Sequence, residues 1–271
     1  MRGEFLDLAG ASLYYYAAGT RGSGEPIVCL HGFPASGHVW NGVVPLLPPG
    51  HRIVVVDLLG YGRSDRPLGR GVGVGAHAAR VVALLDELHI DRACIVGHGM
   101  GGGIAQVLAL RHPERVTRLC LVNSIALGSG GIRERIARLV RPLASTMPPR
   151  TLGALLRRLV QHGYTNPVRA TRSIELYLRP FAGPDGREAL LEHIRAQRDD
   201  ALPSAADLER ITAPTTIVRG ANDRDDPTGA DRRLLRGIPG ARLLVAPDAR
   251  RFAPEEAPRT IADAVAALFA R

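Results

Sequence analysis

Short apolar runs alternate along this chain with longer segments of helical spacing, and this alternation constrains the fold more than any other feature. Strands buried on both faces are predicted at 26–30, 52–57, 93–97, 118–123, 214–220 and 242–247, which are rich in apolar residues. Helices are predicted at Ala76–Leu88, Ile104–Arg111 and Thr260–Phe269. Strands that alternate with helices in this way indicate a parallel sheet covered by helices.

Two parts of the chain depart from this alternation. Residues 5–8 and 12–17 are predicted to open the sheet as an antiparallel pair. Residues 125–205 contain no convincing strand, and helices are predicted there at Ile132–Leu143, Thr151–His162 and Arg187–Arg198. We therefore predict an α/β core formed by residues 1–124 and 206–271, into which residues 125–205 are inserted as a helical cap over the site.

Composition argues against several classes of function. The net charge is +9 and all 35 basic residues are arginine, a bias that a GC-rich genome produces. The arginines are scattered and aromatic residues make up only 4% of the chain, so nucleic-acid binding is not expected. No apolar stretch approaches 18 residues and the N-terminus does not resemble a signal peptide, so no membrane association is expected. Cys29, Cys94 and Cys120 lie in predicted core strands, which favours free thiols and a cytoplasmic location.

Three separated segments carry a family resemblance. They are HGFPASGHVW (31–40), DLLGYGRSDRP (57–67) and VGHGMGGGIAQVLALRHPERVTRLCLVNS (96–124). Together with GANDRDDP (220–227) and ARRFAPEEAP (249–258), their order and spacing resemble the α/β-hydrolase family over nearly the whole chain. The resemblance implies the α/β-hydrolase fold: a mostly parallel eight-stranded sheet flanked by helices, with an inserted helical cap.

The residues at the family's catalytic positions differ from the family pattern. The third segment corresponds to the nucleophile elbow G-x-S-x-G, and Gly99 stands where the nucleophile belongs. Glycine has no side chain, so no covalent intermediate can form there. The resemblance places Asp223 at the position of the catalytic acid and Arg251 at that of the catalytic histidine. Because arginine stays protonated and cannot act as a general base, the chain is predicted not to use a Ser-His-Asp mechanism.

The resemblance also implies that an anion site survives. The backbone N–H groups of Phe33 and Met100 correspond to the oxyanion hole, and backbone donors do not depend on side-chain identity. The elbow opens a helix, whose N-terminus favours negative charge. We expect Arg251 to point towards the same place. It would either pair with Asp223 and join two loops, or bind a carboxylate, phenolate or enolate. The missing side chain at Gly99 is expected to leave room for a bulkier ligand.

Further side chains are candidates for this site. Besides Asp223 and Arg251, we assign His98 to catalysis, although His98 and His31 occupy motif positions where the family commonly has histidine for structural reasons. The remaining pocket candidates are His31, His38, Trp40, Tyr164, Tyr177, Asp225 and Arg250. No metal site is predicted from the histidine spacing, and the glycine-rich run after Gly99 does not have the context of a dinucleotide loop, so no cofactor is expected.

Three functions remain open at this stage. The first is a cofactor-independent, non-hydrolytic cyclase, lyase or isomerase acting on a small, largely apolar molecule with a carbonyl or carboxylate group, as in specialised metabolism. The second is a catalytically dead protein that binds such a ligand. The third is a hydrolase with relocated machinery, in which Asp225 or His98 activates water. A small molecule is the expected partner in each case.

Overall fold

The observed elements follow the alternation that the sequence predicts. The computed structural model describes residues 3–270 apart from 9, 20–23, 67–68, 70, 127–146, 169, 184, 197–200 and 225–228. The strands are β1 (Gly3–Asp7), β2 (Ser12–Gly19), β3 (Gly24–Leu30), β4 (His51–Val56), β5 (Ala93–His98), β6 (Val116–Val122), β7 (Thr215–Gly220) and β8 (Arg242–Ala246). The α-helices are α1 (Val74–Glu87), α2 (Met100–Arg111), α3 (Pro149–His162), α4 (Thr171–Leu178), α5 (Gly186–Ala196), α6 (Ala205–Leu208), α7 (Ala230–Gly237), α8 (Ala253–Glu256) and α9 (Pro258–Phe269).

All eight strands form one sheet in the order β1-β2-β4-β3-β5-β6-β7-β8. β2 pairs antiparallel with β1 and with β4, and every other neighbouring pair is parallel. The predicted mostly parallel eight-stranded sheet is therefore confirmed. Central β5 is buried at each of its positions, as expected for a parallel strand covered on both faces. The three cysteines are free thiols buried in β3, β5 and β6.

Each face of the sheet carries its own apolar core. On one face, α1, α2 and α7 cover the strands with side chains such as Leu84, Ile104 and Leu234. On the other face, Val265 of α9 belongs to the same cluster as Ile174 of α4 and other side chains of α3 to α5. The described helices of the cap therefore share a hydrophobic core with the sheet rather than forming a separate one.

The described residues between β6 and β7 form helices and no strand. Helix α3 matches the predicted segment 151–162, and α5 matches the start of the predicted segment 187–198. Helix α4 was not predicted, because its eight residues are too short a window in which to detect a helical period. The predicted helix Ile132–Leu143 lies outside the described residues. The division into core and cap remains a prediction. None of the described helices has the length and apolarity that crossing a bilayer requires.

The parallel strands place the functional candidates at one edge of the sheet. β3, β5, β6 and β7 run in the same direction, so the residues that follow their carboxyl ends come together. Those residues include His31, Gly99, Asn123 and the loop that carries Asp223. This edge is where the site is described below.

Candidate functional site

The turn between β5 and α2 has the strained geometry of a nucleophile elbow. Gly99 has φ 56° and ψ −115°, a conformation that L side chains rarely adopt. Its N–H donates to the carbonyl of Val122 at 3.0 Å, and its own carbonyl accepts from Ile125 at 3.2 Å. Nearby Gly101 has no space for a side chain, since a Cβ there would lie 2.2 Å from the carbonyl oxygen of Leu30. The turn is therefore held tightly by β3 and β6, with Gly99 at its apex.

The guanidinium of Arg251 lies against this apex. A Cβ placed on Gly99 would lie 3.3 Å from Nη2 of Arg251 and 3.5 Å from Cα of Gly32. The end of the Arg251 side chain therefore lies in contact distance of the Cβ that a nucleophilic residue at position 99 would have. This corrects the expectation that the missing side chain leaves that space to a bulkier ligand, because arginine has taken part of it.

Arg251 is buried, and no residue in the described part of the chain neutralises its charge. Only 7% of its surface is exposed, and its Nε has no hydrogen-bond partner among the described residues. Its guanidinium forms no ion pair or hydrogen bond with any described residue. A buried cation is normally paired, because leaving water costs several kcal/mol when no counter-charge is present.

The expected ion pair between Arg251 and Asp223 is not formed. Asp223 is half-buried, and its Oδ2 accepts a hydrogen bond of 2.7 Å from Nδ2 of Asn123, the residue that follows β6. The two loops still meet, because the N–H of Asn222 donates to the carbonyl of Ala249 at 3.0 Å. The Asn123 amide thus orients the Asp223 carboxylate. The Arg251 guanidinium has no counter-ion among the described residues.

The loops that carry the predicted backbone donors, the N–H groups of Phe33 and Met100, pack against each other beside Gly99. Met100 is the first residue of α2, so its N–H has no acceptor within the helix. A Cβ on Gly32, the residue before Phe33, would lie 3.1 Å from the nitrogen of Met100. The loop that carries Phe33 is therefore packed against the start of α2. The N-terminus of this 12-residue helix adds positive potential beside the Arg251 cation. The assignment of Phe33 and Met100 as an oxyanion hole remains a prediction.

His31 and His98 have structural hydrogen bonds. His31 is fully buried, accepts from the N–H of Leu58 through Nε2 at 2.9 Å and donates through Nδ1 to the carbonyl of Gly32 at 3.0 Å. Burial lowers the pKa of His31 to about 4, so its ring is neutral near pH 7. Nε2 of His98 donates to the backbone carbonyl of Arg251 at 2.8 Å. That nitrogen is therefore engaged by a backbone acceptor, and the catalytic assignment of His98 remains a prediction.

His38 and Trp40 lie in the 3-10 helix Gly37–Trp40 that follows the loop after β3. Nδ1 of His38 accepts from Nδ2 of Asn41 at 2.8 Å, and its ring lies 6.2 Å from that of Tyr177 in the cap. Burial lowers the pKa of His38. Trp40 is fully buried in the apolar cluster that includes α3 and α4. His38 therefore faces Tyr177 in the cap, and Trp40 packs in the core.

Arg250, unlike Arg251, is directed into the joint between cap and core. Its Nη1 donates to the carbonyls of His162 at 3.2 Å and Tyr164 at 3.3 Å, and its backbone N–H donates to Oε2 of Glu256 at 2.8 Å. These bonds fix the C-terminus of α3 to the loop after β8. Of the two arginines, Arg251 is the one that reaches the apex.

A carboxylate that the sequence analysis missed lies beside this joint. Glu255 in α8 accepts hydrogen bonds from the hydroxyls of Tyr164 (3.0 Å) and Tyr177, both buried side chains of the cap. Burial raises the pKa of Glu255, and burial together with the Glu255 charge raises the pKa of both tyrosines. The ring of Tyr164 stacks on Phe252 with centroids 4.3 Å apart. Tyr164 and Tyr177 therefore hold the cap to α8, rather than offering free hydroxyls to a ligand.

Asn123 and His193 were also missed. Asn123 lies near the end of the third family segment but was not singled out there, and no motif marked His193. His193 projects from α5 onto Tyr61, with ring centroids 4.3 Å apart, and is almost fully buried. Burial lowers its pKa to about 4. Asp225 lies outside the described residues. Among the residues that the structure describes, no group of three or more histidine, cysteine or acidic side chains is arranged to hold a metal ion.

Comparison with known proteins establishes the family. A model of the α/β hydrolase fold matches residues 25–258. The chain belongs to the α/β-hydrolase fold family. The solved structure of an α/β-hydrolase fold protein from Burkholderia ambifaria has a TM-score of 0.81 and 28% identity, covering 100% of both chains.

Curated relatives are similar over shorter segments. The mesoderm-specific transcript homolog protein of Homo sapiens is 35% identical over 91 residues, which are 32% of this chain and 26% of that protein. A fluoroacetate dehalogenase from Burkholderia sp is 48% identical over 48 residues, covering 18% of this chain and 16% of the dehalogenase. These matches thus span about a quarter or less of the relatives' own length.

The geometry of this α/β-hydrolase elbow predicts that a conventional site can be restored. The double variant G99S/R251H should hydrolyse p-nitrophenyl acetate with an initial burst, at least on the order of 100-fold faster than the unmodified chain, because a nucleophile and a general base return to a retained turn. Each single variant should stay at background. Stopped-flow absorbance measures the burst, and mass spectrometry detects the acyl-enzyme on Ser at position 99. A folded double variant that never acylates would show that the elbow does not present residue 99 to substrate.

The buried histidines predict loss of stability in acid. His31 and His193 have pKa values of about 4 when folded and about 6.5 when unfolded, so the unfolded chain binds more protons between these values. Stability should therefore be constant above about pH 7 and fall as the pH drops from 6.5 towards 4, by up to about 1.4 kcal/mol per pH unit for each histidine. Urea unfolding at a series of pH values measures this slope. His193→Phe should reduce it, whereas substitution of the exposed His89 by Asn should not; equal slopes in all three proteins would contradict the assignment.

Proposed function

We propose that this chain binds a small organic anion between Arg251 and the start of α2 and acts on it without a covalent intermediate. The supporting observation is the buried guanidinium, which lies against Gly99 and has no counter-charge among the described residues. A carboxylate, phenolate or enolate oxygen would accept from Arg251 and from the backbone N–H groups of Met100 and Phe33. The ligand would supply the negative charge that the folded protein does not.

The chemistry that fits such a site is proton transfer. Asp223 is the carboxylate on the neighbouring loop, and Asn123 fixes its orientation. In this proposal Asp223 removes a proton from carbon next to the ligand's carbonyl, and the resulting enolate is stabilised by Arg251 and the backbone donors. An elimination, isomerisation or cyclisation proceeds through such an enolate and needs no nucleophile at residue 99. A cyclase, lyase or isomerase is therefore the enzyme class that we propose.

A second candidate is binding without turnover. The histidines near the apex favour it, because both ring nitrogens of His31 and Nε2 of His98 are engaged by backbone groups. Asp223 is then the single proton carrier that we can assign among the described residues. Whether Asp223 exchanges protons with a bound ligand decides between the two candidates.

The anion site predicts opposite effects of one substitution on stability and binding. Arg251→Met removes a buried unpaired charge, so the ligand-free protein should become more stable by about 1–3 kcal/mol. The same variant should lose the rise in Tm that benzoate, phenylacetate or phosphate gives the unmodified protein. Differential scanning fluorimetry with and without each anion measures both effects. Arg259→Met, which removes an exposed arginine from α9, serves as the matched control and should change neither.

A purely structural role for Arg251 would give the reverse pattern. In that case Arg251→Met would lower stability and leave any response to anions intact. Failure of every anion in the panel to stabilise the protein through Arg251 would also refute the proposal.

Proton transfer is tested separately from binding. With the enolisable acid phenylpyruvate in D₂O, the protein should exchange the protons next to the keto group faster than the buffer does, as followed by proton NMR. Asp223→Asn should abolish this excess exchange while binding through Arg251 persists. Tight binding with no exchange above the buffer rate would instead support the ligand-binding role.

A further inference from the structure

The backbone of Arg251 is hydrogen-bonded from two sides. Its N–H donates to the carbonyl of Gly163 in the cap at 3.1 Å, and its carbonyl accepts from Nε2 of His98 in the core at 2.8 Å. His98 is the last residue of β5, and Gly163 directly follows α3. The peptide units before and after Cα of Arg251 are thus each fixed by a different part of the molecule.

The guanidinium has no comparable restraint of its own. It forms no hydrogen bond or ion pair with any described residue, and its Nε is buried without a partner. An arginine side chain loses rotamer entropy when it is held in one conformation. Its direction towards Gly99 must therefore come from packing and from the placement of its backbone.

His98 is suited to fixing that backbone. The ring is fully buried and lies 5.8 Å from the ring of Phe252, so its own orientation is set by packing. Because a carbonyl only accepts, Nε2 must carry the proton in this hydrogen bond. The donor, His98, directly precedes Gly99 in the chain. The acceptor belongs to Arg251, whose guanidinium lies against Gly99. This hydrogen bond therefore joins the end of β5, which leads into the Gly99 turn, directly to the loop that carries Arg251.

On the cap side, Gly163 packs closely against the loop that carries Arg251 and Phe252. A Cβ on Gly163 would lie 2.7 Å from Cε2 of Phe252, so a glycine is needed for α3 to end this close to the loop after β8. The carbonyl of Gly163 also accepts from the N–H of Phe252 at 3.3 Å. Gly163 thus holds two consecutive N–H groups of this loop, but from the opposite side to His98.

We infer that His98 is a positioning residue of the anion site: its Nε2–H holds the Arg251 carbonyl so that the guanidinium is directed at the Gly99 apex. This inference rests on the proposed anion-binding role of Arg251. It replaces a proton-transfer role for His98 with an orienting one.

The test compares His98→Phe with His98→Gln. Phenylalanine keeps a ring packed against Phe252 but removes the donor, whereas glutamine can offer an N–H at a similar distance from the backbone. Titration calorimetry with benzoate should show affinity about tenfold weaker for His98→Phe, as expected for the loss of one buried hydrogen bond, and within about twofold of the unmodified protein for His98→Gln. Should His98→Phe fail to fold, His98→Asn, whose amide is too short to reach, takes its place.

A second readout needs no ligand. The Nε–H resonance of Arg251 in a ¹⁵N NMR spectrum, assigned by its absence from Arg251→Met, should exchange slowly with solvent because Nε is buried. It should broaden or exchange rapidly in His98→Phe and remain protected in His98→Gln. This signal tests the positioning even if no anion in the panel binds, in which case the proposed function fails and the orienting role is judged by the resonance alone.

Two outcomes would overturn the inference. One is an unchanged affinity and an unchanged Arg251 resonance in His98→Phe, which would show that packing alone directs the guanidinium. The other is equal damage in His98→Phe and His98→Gln, which would show that ring packing matters and the donor does not.

Discussion

A buried guanidinium at the start of a helix, with no counter-ion among the described residues, is the arrangement on which the rest of this site depends. Arg251 ends beside Gly99, where α2 begins, and the N-terminus of a helix carries roughly half a positive charge. Two sources of positive potential therefore meet at one buried place, and each makes the other less favourable. In the proposed function, an anion would relieve both at once. A ligand that supplied the opposite charge would recover the energy that the folded chain loses by burying the cation, which is how a binding site can be destabilising when empty.

Two carboxylates close to Arg251 in the chain are engaged elsewhere. Glu255 accepts from Tyr164 and Tyr177, and Glu256 accepts from the N–H groups of Arg250 and Thr165. These bonds join α8 and the loop before it to the cap. Glu255 and Glu256 therefore hold the cap in place and do not pair with Arg251. The same joint fixes the loop that carries Arg251, so docking of the cap and direction of the guanidinium depend on common contacts.

The sequence predicted the sheet better than the site. Every predicted strand is present, because strands such as β5 are buried on both faces and appear as continuous apolar runs. The predicted burial of 242–247 is wrong, because β8 is an edge strand and most of its residues are exposed. The apex at Gly99 was also predictable, since the flanking glycines are needed wherever a helix starts this close to a strand. Pairings between distant residues were not: Asp223 pairs with Asn123, which is 100 positions away. Nor did any local pattern show that His98 donates to Arg251, because that bond depends on how β5 meets the loop after β8.

Gly99 and Arg251 are best understood as one change rather than two. With serine at 99 and arginine at 251, a hydroxyl would stand next to a group that cannot take its proton, and the new Cβ would lie only 3.3 Å from Nη2. With glycine at 99 and histidine at 251, a base would face a position with nothing to activate. With glycine and arginine together, the cation reaches the apex and the backbone donors remain where they were. Either residue alone would leave a defective hydrolase, whereas in the proposed function the pair replaces a nucleophile and its base with a site that attracts and holds negative charge.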